Sequence, residues 1–119
     1  MKKFISVMLV AAMAVTALTG CGSNSGSSSK KDADKYYIGG IGPTTGATAI
    51  YGTAVKNGAQ IAVDEINAAG GINGKQIEYR FEDDQNDAEK AVNAYNTLKD
   101  WGMQVLMGTV TTTPCIAVA

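Results

Sequence analysis

The chain has 119 residues, a nearly balanced charge (10 Lys and Arg against 11 Asp and Glu), two cysteines and no histidine. That balance offers no basic surface for nucleic acid. Without His, and with Cys21 and Cys115 far apart, the usual parts of a metal centre or a His-dependent nucleophile are missing, so no metal, no cofactor and no enzymatic activity are expected.

Lys2 and Lys3 make a positive start, and Phe4 to Leu18 is almost wholly apolar, the layout of an export leader and too short for a comfortable membrane span. Residues 1–20 are therefore read as a signal peptide and excluded from the fold. Leu18, Thr19, Gly20 and Cys21 resemble the lipobox of bacterial lipoproteins. The resemblance implies that Cys21 carries a diacylglycerol thioether and becomes the mature N-terminus. Two acyl chains anchor stably where one is marginal. A disulfide between Cys21 and Cys115 is the competing reading, since export permits disulfides. From Gly22 to Asp34 the chain is Ser, Gly, Asn, Lys and Asp with one Ala, too polar to offset its ordering entropy. Residues 21–35 are thus a lipid-anchored flexible tether and residues 36–119 the folded part, held on the extracytoplasmic face of a cell membrane.

In the folded part, Tyr37, Gly39 and Ile41 alternate with Ile38, Gly40 and Gly42, predicting a first strand that ends near Gly42-Pro43. From about Thr48 to Ala69, Val55, Ala59, Ala62, Ile66 and Ala69 recur at steps of four and three, the pattern of an amphipathic helix stopped by Gly70-Gly71. Ile77, Tyr79 and Phe81 alternate with charged or polar neighbours, predicting a second strand near a sheet edge. Asp87 is placed to cap a second helix, in which Ala88, Ala91, Val92, Tyr95 and Leu98 keep helical spacing up to Trp101-Gly102. Gln104 to Met107 reads as a short buried strand ending at Gly108, and a third helix starts within Thr111 to Ala119, with Pro114 in its first turn. Strand, helix, strand, helix, strand at this spacing implies the α/β class, a parallel sheet with right-handed βαβ crossovers. With the third helix only begun, one sheet face is expected to lack cover.

In open α/β sheets ligands lie beyond the carboxyl ends of the strands, where loops and helix starts expose N–H groups. Two segments fall there. GPTTGATAIYG, residues 42–52, is rich in Gly and hydroxyls and carries Tyr51; GTVTTTP, residues 108–114, offers four threonine hydroxyls before a helix start. Gly40, Gly42 and Gly46 give G-x-G-x-x-x-G, one residue away from the dinucleotide fingerprint, and Pro43 removes an amide, so a nucleotide site is not expected. The threonines either continue the strand and cap the helix, or form an anion pocket of hydroxyls and amides. Tyr51 is either a packed aromatic or a pocket wall. Asp83, Asp84 and Asp87 lack calcium-loop spacing and are read as the acidic lead-in to a helix. Cys115 is read as a small packed residue.

The succession IGGIGPTTGATAIYGTAVKNGAQIAVDEINAAGGINGKQIEYRFEDDQNDAEKAVNAYNTLKD, followed by GTVTTTP, resembles the first lobe of type I solute-binding proteins of the branched-chain amino acid (Leu/Ile/Val) ABC transporter group. Its most specific pieces are GPTTG with YG a few residues on, AVDEINAAGGINGKQIE and EDDQNDAEKAV. The resemblance implies a three-layer lobe of a receptor that closes on an amino acid and hands it to an ABC permease. It implies that Thr112, with Thr111 and Thr113 beside it, holds the ligand α-carboxylate and that Tyr51 before Gly52 lines the side-chain pocket. Some relatives join the second-helix junction to the third-strand loop by a disulfide; here those places hold Asn86 and Thr111. The second lobe and the later strands of the first are not in the sequence, so the expectation is a partial first lobe. A receptor input domain of the same fold, and a binding protein for amides or urea, are the alternative readings.

Overall fold

A computed structural model describes residues 34–119. The expected leader, tether and Cys21 lie outside the described residues. Three strands and three helices alternate: β1 Lys35–Gly42, α1 Ala49–Ala68, β2 Gln76–Asp83, α2 Ala88–Trp101, β3 Val105–Thr109 and α3 Thr112–Val118. The sheet order is β2-β1-β3, with both pairings parallel. This is the α/β architecture expected from the spacing, with β2 at one sheet edge. Because the strands are parallel, Gly42, Asp83 and Thr109 end at the same edge, and the loops that follow them meet there.

Residues in register point to the same side of a sheet. Ile41 packs with Ala91, Ala94 and Leu98, joined by Leu106 and Val118, so α2 and α3 cover one face. Gly39 belongs to this face, and a Cβ there would meet Met103 Sδ at 2.4 Å, which lets the end of α2 press onto the sheet. Ile38, Gly40, Ile77, Tyr79 and Phe81 belong to the other face, where α1 lies over β2 and β1. Asn67 in the last turn of α1 accepts from Ile77 N–H at 2.7 Å and donates to Ile77 carbonyl O at 2.9 Å, so its amide satisfies a residue of β2 as a neighbouring strand would.

Asp87 caps α2 as expected, its carboxylate accepting from Lys90 N–H at 2.9 Å, and Gly102 ends that helix in the left-handed region with φ 83°. Three expectations are corrected. The inward positions of α1 are Gly52 and Val63, while Val55, Ala62, Ile66 and Ala69 are exposed, because the close seating of Gly52 on Pro43 sets which line of the helix faces the sheet. β3 is not a buried strand: Val105 is 57% and Met107 36% exposed, since α1 does not extend over it. The same strand runs past Gly108 to Thr109, where the register slips between Gly40 and Ile41; Gly108, with φ 43°, takes up the irregularity. Cys115 is exposed rather than packed, and has no disulfide partner among the described residues. No helix among the described residues is long and apolar enough to cross a membrane.

Candidate ligand site at the carboxyl edge of the sheet

The loop after β1 starts with buried Pro43, whose backbone is closed over by Gly52 of α1. Thr44 N–H then donates to Asp83 Oδ1 at 2.8 Å and Thr45 Oγ1 to Asp83 Oδ2 at 2.5 Å. Gly46, with φ 80°, turns the chain, and Ala49 N–H donates to Gly46 carbonyl O at 3.2 Å as α1 begins. Tyr51 follows within the first turn and is 62% exposed.

The loop after β2 is built by its own carboxylates. Asp83 Oδ1 also accepts from Gln85 N–H at 3.0 Å, and Asp84 Oδ1 from Asn86 N–H at 2.8 Å. These bonds hold Gln85 and Asn86 in the left-handed region, at φ 51° and 59°. Burial alone would raise the Asp83 carboxyl, but donors from Thr45, Thr44 and Gln85 outweigh it and hold the group below the usual 3.8. Asp84 is fully buried, its Oδ2 makes no hydrogen bond, and burial raises its carboxyl above 3.8. The three acidic residues read together as a helix lead-in therefore have separate tasks: only Asp87 caps, Asp83 reaches the first loop, and Asp84 is sealed inside.

The loop after β3 leads directly into α3. Thr111 stands at the N-cap position, but its hydroxyl makes no capping bond; Thr109 and Thr111 Oγ1 are buried without hydrogen-bond partners among the described residues. Thr112 and Thr113 are exposed, and Pro114 is buried as the third residue of α3. Tyr51 and the threonines thus belong to segments that leave the same edge of the sheet, but neither Tyr51 nor Thr111 to Thr113 lines either of two clefts elsewhere. One, about 530 Å³, is lined by Tyr36, Tyr37, Ile38, Ile72, Gln104 and Val105 at the opposite end of the strands. The other, about 180 Å³, lies between α2, β3 and α3 and includes Thr109 and Cys115. Sequence reading took Asp83 as part of a helix lead-in and Thr44 and Thr45 as part of the hydroxyl-rich loop, and missed that they bond one another; the signal for the pairing is a carboxylate at the last position of a strand beside that loop.

Among the described residues no group of His, Cys, Asp and Glu is arranged to hold a metal. Hydroxyls and amides dominate the edge, which suits it to bind a polar group. Against known proteins, the family model described as periplasmic binding protein matches residues 35–119. The chain belongs to the periplasmic binding protein family. Its place is therefore outside the cytoplasm. The Leu/Ile/Val-binding protein BraC3 of Rhizobium johnstonii is 44% identical over 82 residues, covering 69% of this chain and 22% of that protein. The branched-chain amino acid transporter substrate-binding protein LivJ of Streptococcus pneumoniae, solved with isoleucine, has a TM-score of 0.67 and 39% identity, over 71% of this chain and 24% of that one. A solute-binding protein from R. palustris, solved with benzoate, has a TM-score of 0.61 and 25% identity, over 71% of this chain and 23% of that one. The chain thus spans about a quarter or less of the length of the relatives it matches.

Proposed function

We propose that this chain is part of the first lobe of a lipid-anchored solute-binding protein that delivers branched-chain or other aliphatic amino acids to an ABC permease. The observation that carries the reading is the likeness of the chain to proteins named for Leu, Ile and Val and to one solved with isoleucine. In this reading Thr112, flanked by Thr111 and Thr113, donates to the ligand carboxylate, and the ring of Tyr51 walls the space for the aliphatic side chain. Residues 1–20 are the leader, Cys21 the lipidated residue, 21–35 the tether and 36–119 the partial lobe. The protein binds and releases its solute without chemistry.

A thermal-shift panel of leucine, isoleucine, valine, benzoate, acetamide and urea tests it. A ligand that binds only the folded state must raise the melting temperature. A rise with the three branched-chain amino acids supports the proposal. A response to benzoate alone favours an aromatic-acid receptor, consistent with the benzoate-bound relative, and a response to acetamide or urea alone favours an amide receptor. Silence across the panel at millimolar ligand overturns the reading for this chain.

A further inference from the structure

We propose that Asp83 is a positioning residue of this site, a latch whose carboxylate fixes the first loop against the second and so sets where α1 begins and where Tyr51 stands. The inference rests on the proposed ligand site and adds a residue that need not touch the ligand.

The geometry is unusual in its economy. One carboxylate accepts three donors: Thr44 N–H at 2.8 Å, Gln85 N–H at 3.0 Å and Thr45 Oγ1 at 2.5 Å. Two of these donors lie 38 and 39 residues away in sequence, so the bonds tie separate loops rather than stiffen one. The tie acts on a segment with little other support. Gly42 ends β1, Pro43 has no N–H to give, and the local bonds that start α1 begin only at Gly46 and Thr48. Pro43 is held by its contact with Gly52, and Asp84 N–H donates to Gly42 carbonyl O at 3.3 Å. Between those contacts and α1, Thr44 and Thr45 are gripped by Asp83. A loop fixed at both ends but free between them would let the first turn of α1 fray, and Tyr51 lies in that turn.

A carboxylate is the group suited to this task. It offers two oxygens and about four lone-pair sites with no donor of its own, whereas an amide replaces one oxygen by an N–H₂ that has to face a donor. The donors in turn favour the ionised form and outweigh the burial that opposes it, so the latch is closed at neutral pH. Asp84, one residue on, does not substitute: it is sealed in the interior, with Oδ1 accepting from Asn86 N–H and Oδ2 reaching no donor of the first loop.

The test compares Asp83→Asn, Thr45→Val and Thr45→Ser in the full chain by two measurements, amide hydrogen exchange at Thr44 and Gln85, and isoleucine affinity by calorimetry. Asp83→Asn is expected to speed Thr44 exchange and weaken isoleucine binding, each by about tenfold, the effect of losing a charge-assisted bond. Amides of Ile41 and Leu98 serve as controls and stay protected. Thr45→Val keeps the carboxylate and most of the loop volume, and is expected to weaken binding as well. Thr45→Ser, which restores the hydroxyl, is expected to recover it, an outcome that a loss of packing alone does not give. Unchanged Thr44 exchange in Asp83→Asn overturns the latch. So does isoleucine affinity equal to wild type in both Asp83→Asn and Thr45→Val. If wild type itself ignores isoleucine, the functional reading falls, and Thr44 exchange alone then decides whether the latch exists. Should Asp83→Asn fail to fold, Thr45→Val with its Ser control carries the same decision.

Discussion

Gly52 lies so close to Pro43 that a Cβ built on it would stand 1.9 Å from the Pro43 carbonyl oxygen. The contact seats the first turn of α1 on the end of β1, and only a residue without a side chain permits it. Gly58, two turns along the same helix, has nothing within 4 Å of its would-be Cβ. The same substitution therefore has opposite signs at the two sites. Gly52→Ala is expected to cost about 1–3 kcal/mol, because the obstacle is backbone and cannot rotate away. Gly58→Ala is expected to stabilise by about 1 kcal/mol through helix propensity. Urea denaturation of both variants checks this; a Gly52→Ala protein as stable as wild type would show that α1 is not seated on Pro43.

Asp84 gives a pH prediction of defined sign. Burial, the largest influence, together with the charges of Asp83 and Asp87, outweighs the Asn86 hydrogen bond and raises its carboxyl above 3.8. A group whose folded value exceeds its unfolded one contributes most below the unfolded value and loses that contribution as pH rises through the folded value. Ionised Asp84 therefore costs stability at neutral pH. Asp84→Asn is expected to melt higher than wild type there, with the gap narrowing as the pH falls toward 3.8. Asp83 behaves oppositely: its folded value lies below 3.8, so its contribution is present above that value and is lost as pH falls through the folded one. A gap in the Asp84→Asn melting temperature that does not vary with pH would assign the effect to packing instead of charge.

The order of elements was legible because the alternation of Ile77, Tyr79 and Phe81, the helical spacing up to Leu98 and the stops at Gly70, Gly71 and Gly102 are local signals. Burial was less legible, since it depends on what lies opposite. Val105 and Met107 look like core residues in an apolar run, yet their exposure follows from where α1 ends over the sheet. The inward line of α1 was misjudged for a related reason: Gly52, with no apolar signal of its own, sets the seating, and polar Asn67 turns inward to satisfy Ile77. At the site, sequence order put Tyr51 and the threonines beyond the same sheet edge. It hid Asp83, because a carboxylate that bonds residues 38 and 39 positions away resembles one that merely precedes a helix.

The lipoprotein reading rests on the Leu18 to Cys21 stretch alone. Cys21→Ser removes the thiol to which a diacylglycerol would be joined. The variant is expected in the soluble extracytoplasmic fraction, with wild type in the detergent-extracted membrane fraction. Acyl chains provide the membrane affinity at about 0.8 kcal/mol per buried CH₂, so their loss should be close to all-or-none. A Cys21→Ser protein that still pellets with membranes would mean that something other than this cysteine holds it.

The threonines after β3 separate a ligand contact from a structural one. Thr112 opens α3 with an exposed side chain, whereas Thr111 Oγ1 is buried and makes no hydrogen bond. Valine preserves the β-branched shape of either residue and removes only the hydroxyl. If Thr112 donates to the ligand carboxylate, Thr112→Val leaves that charged group short of a donor and weakens isoleucine binding by about 1–3 kcal/mol, with little change in the stability of the free protein. Thr111→Val instead relieves a buried hydroxyl that lacks a partner, so the free protein is expected to be as stable as wild type or slightly more so. Calorimetry with isoleucine on both variants decides the assignment. A loss confined to Thr111→Val would move the carboxylate contact one residue toward β3 and make its buried hydroxyl the group held ready for the ligand; no loss in either would place the contact outside this loop.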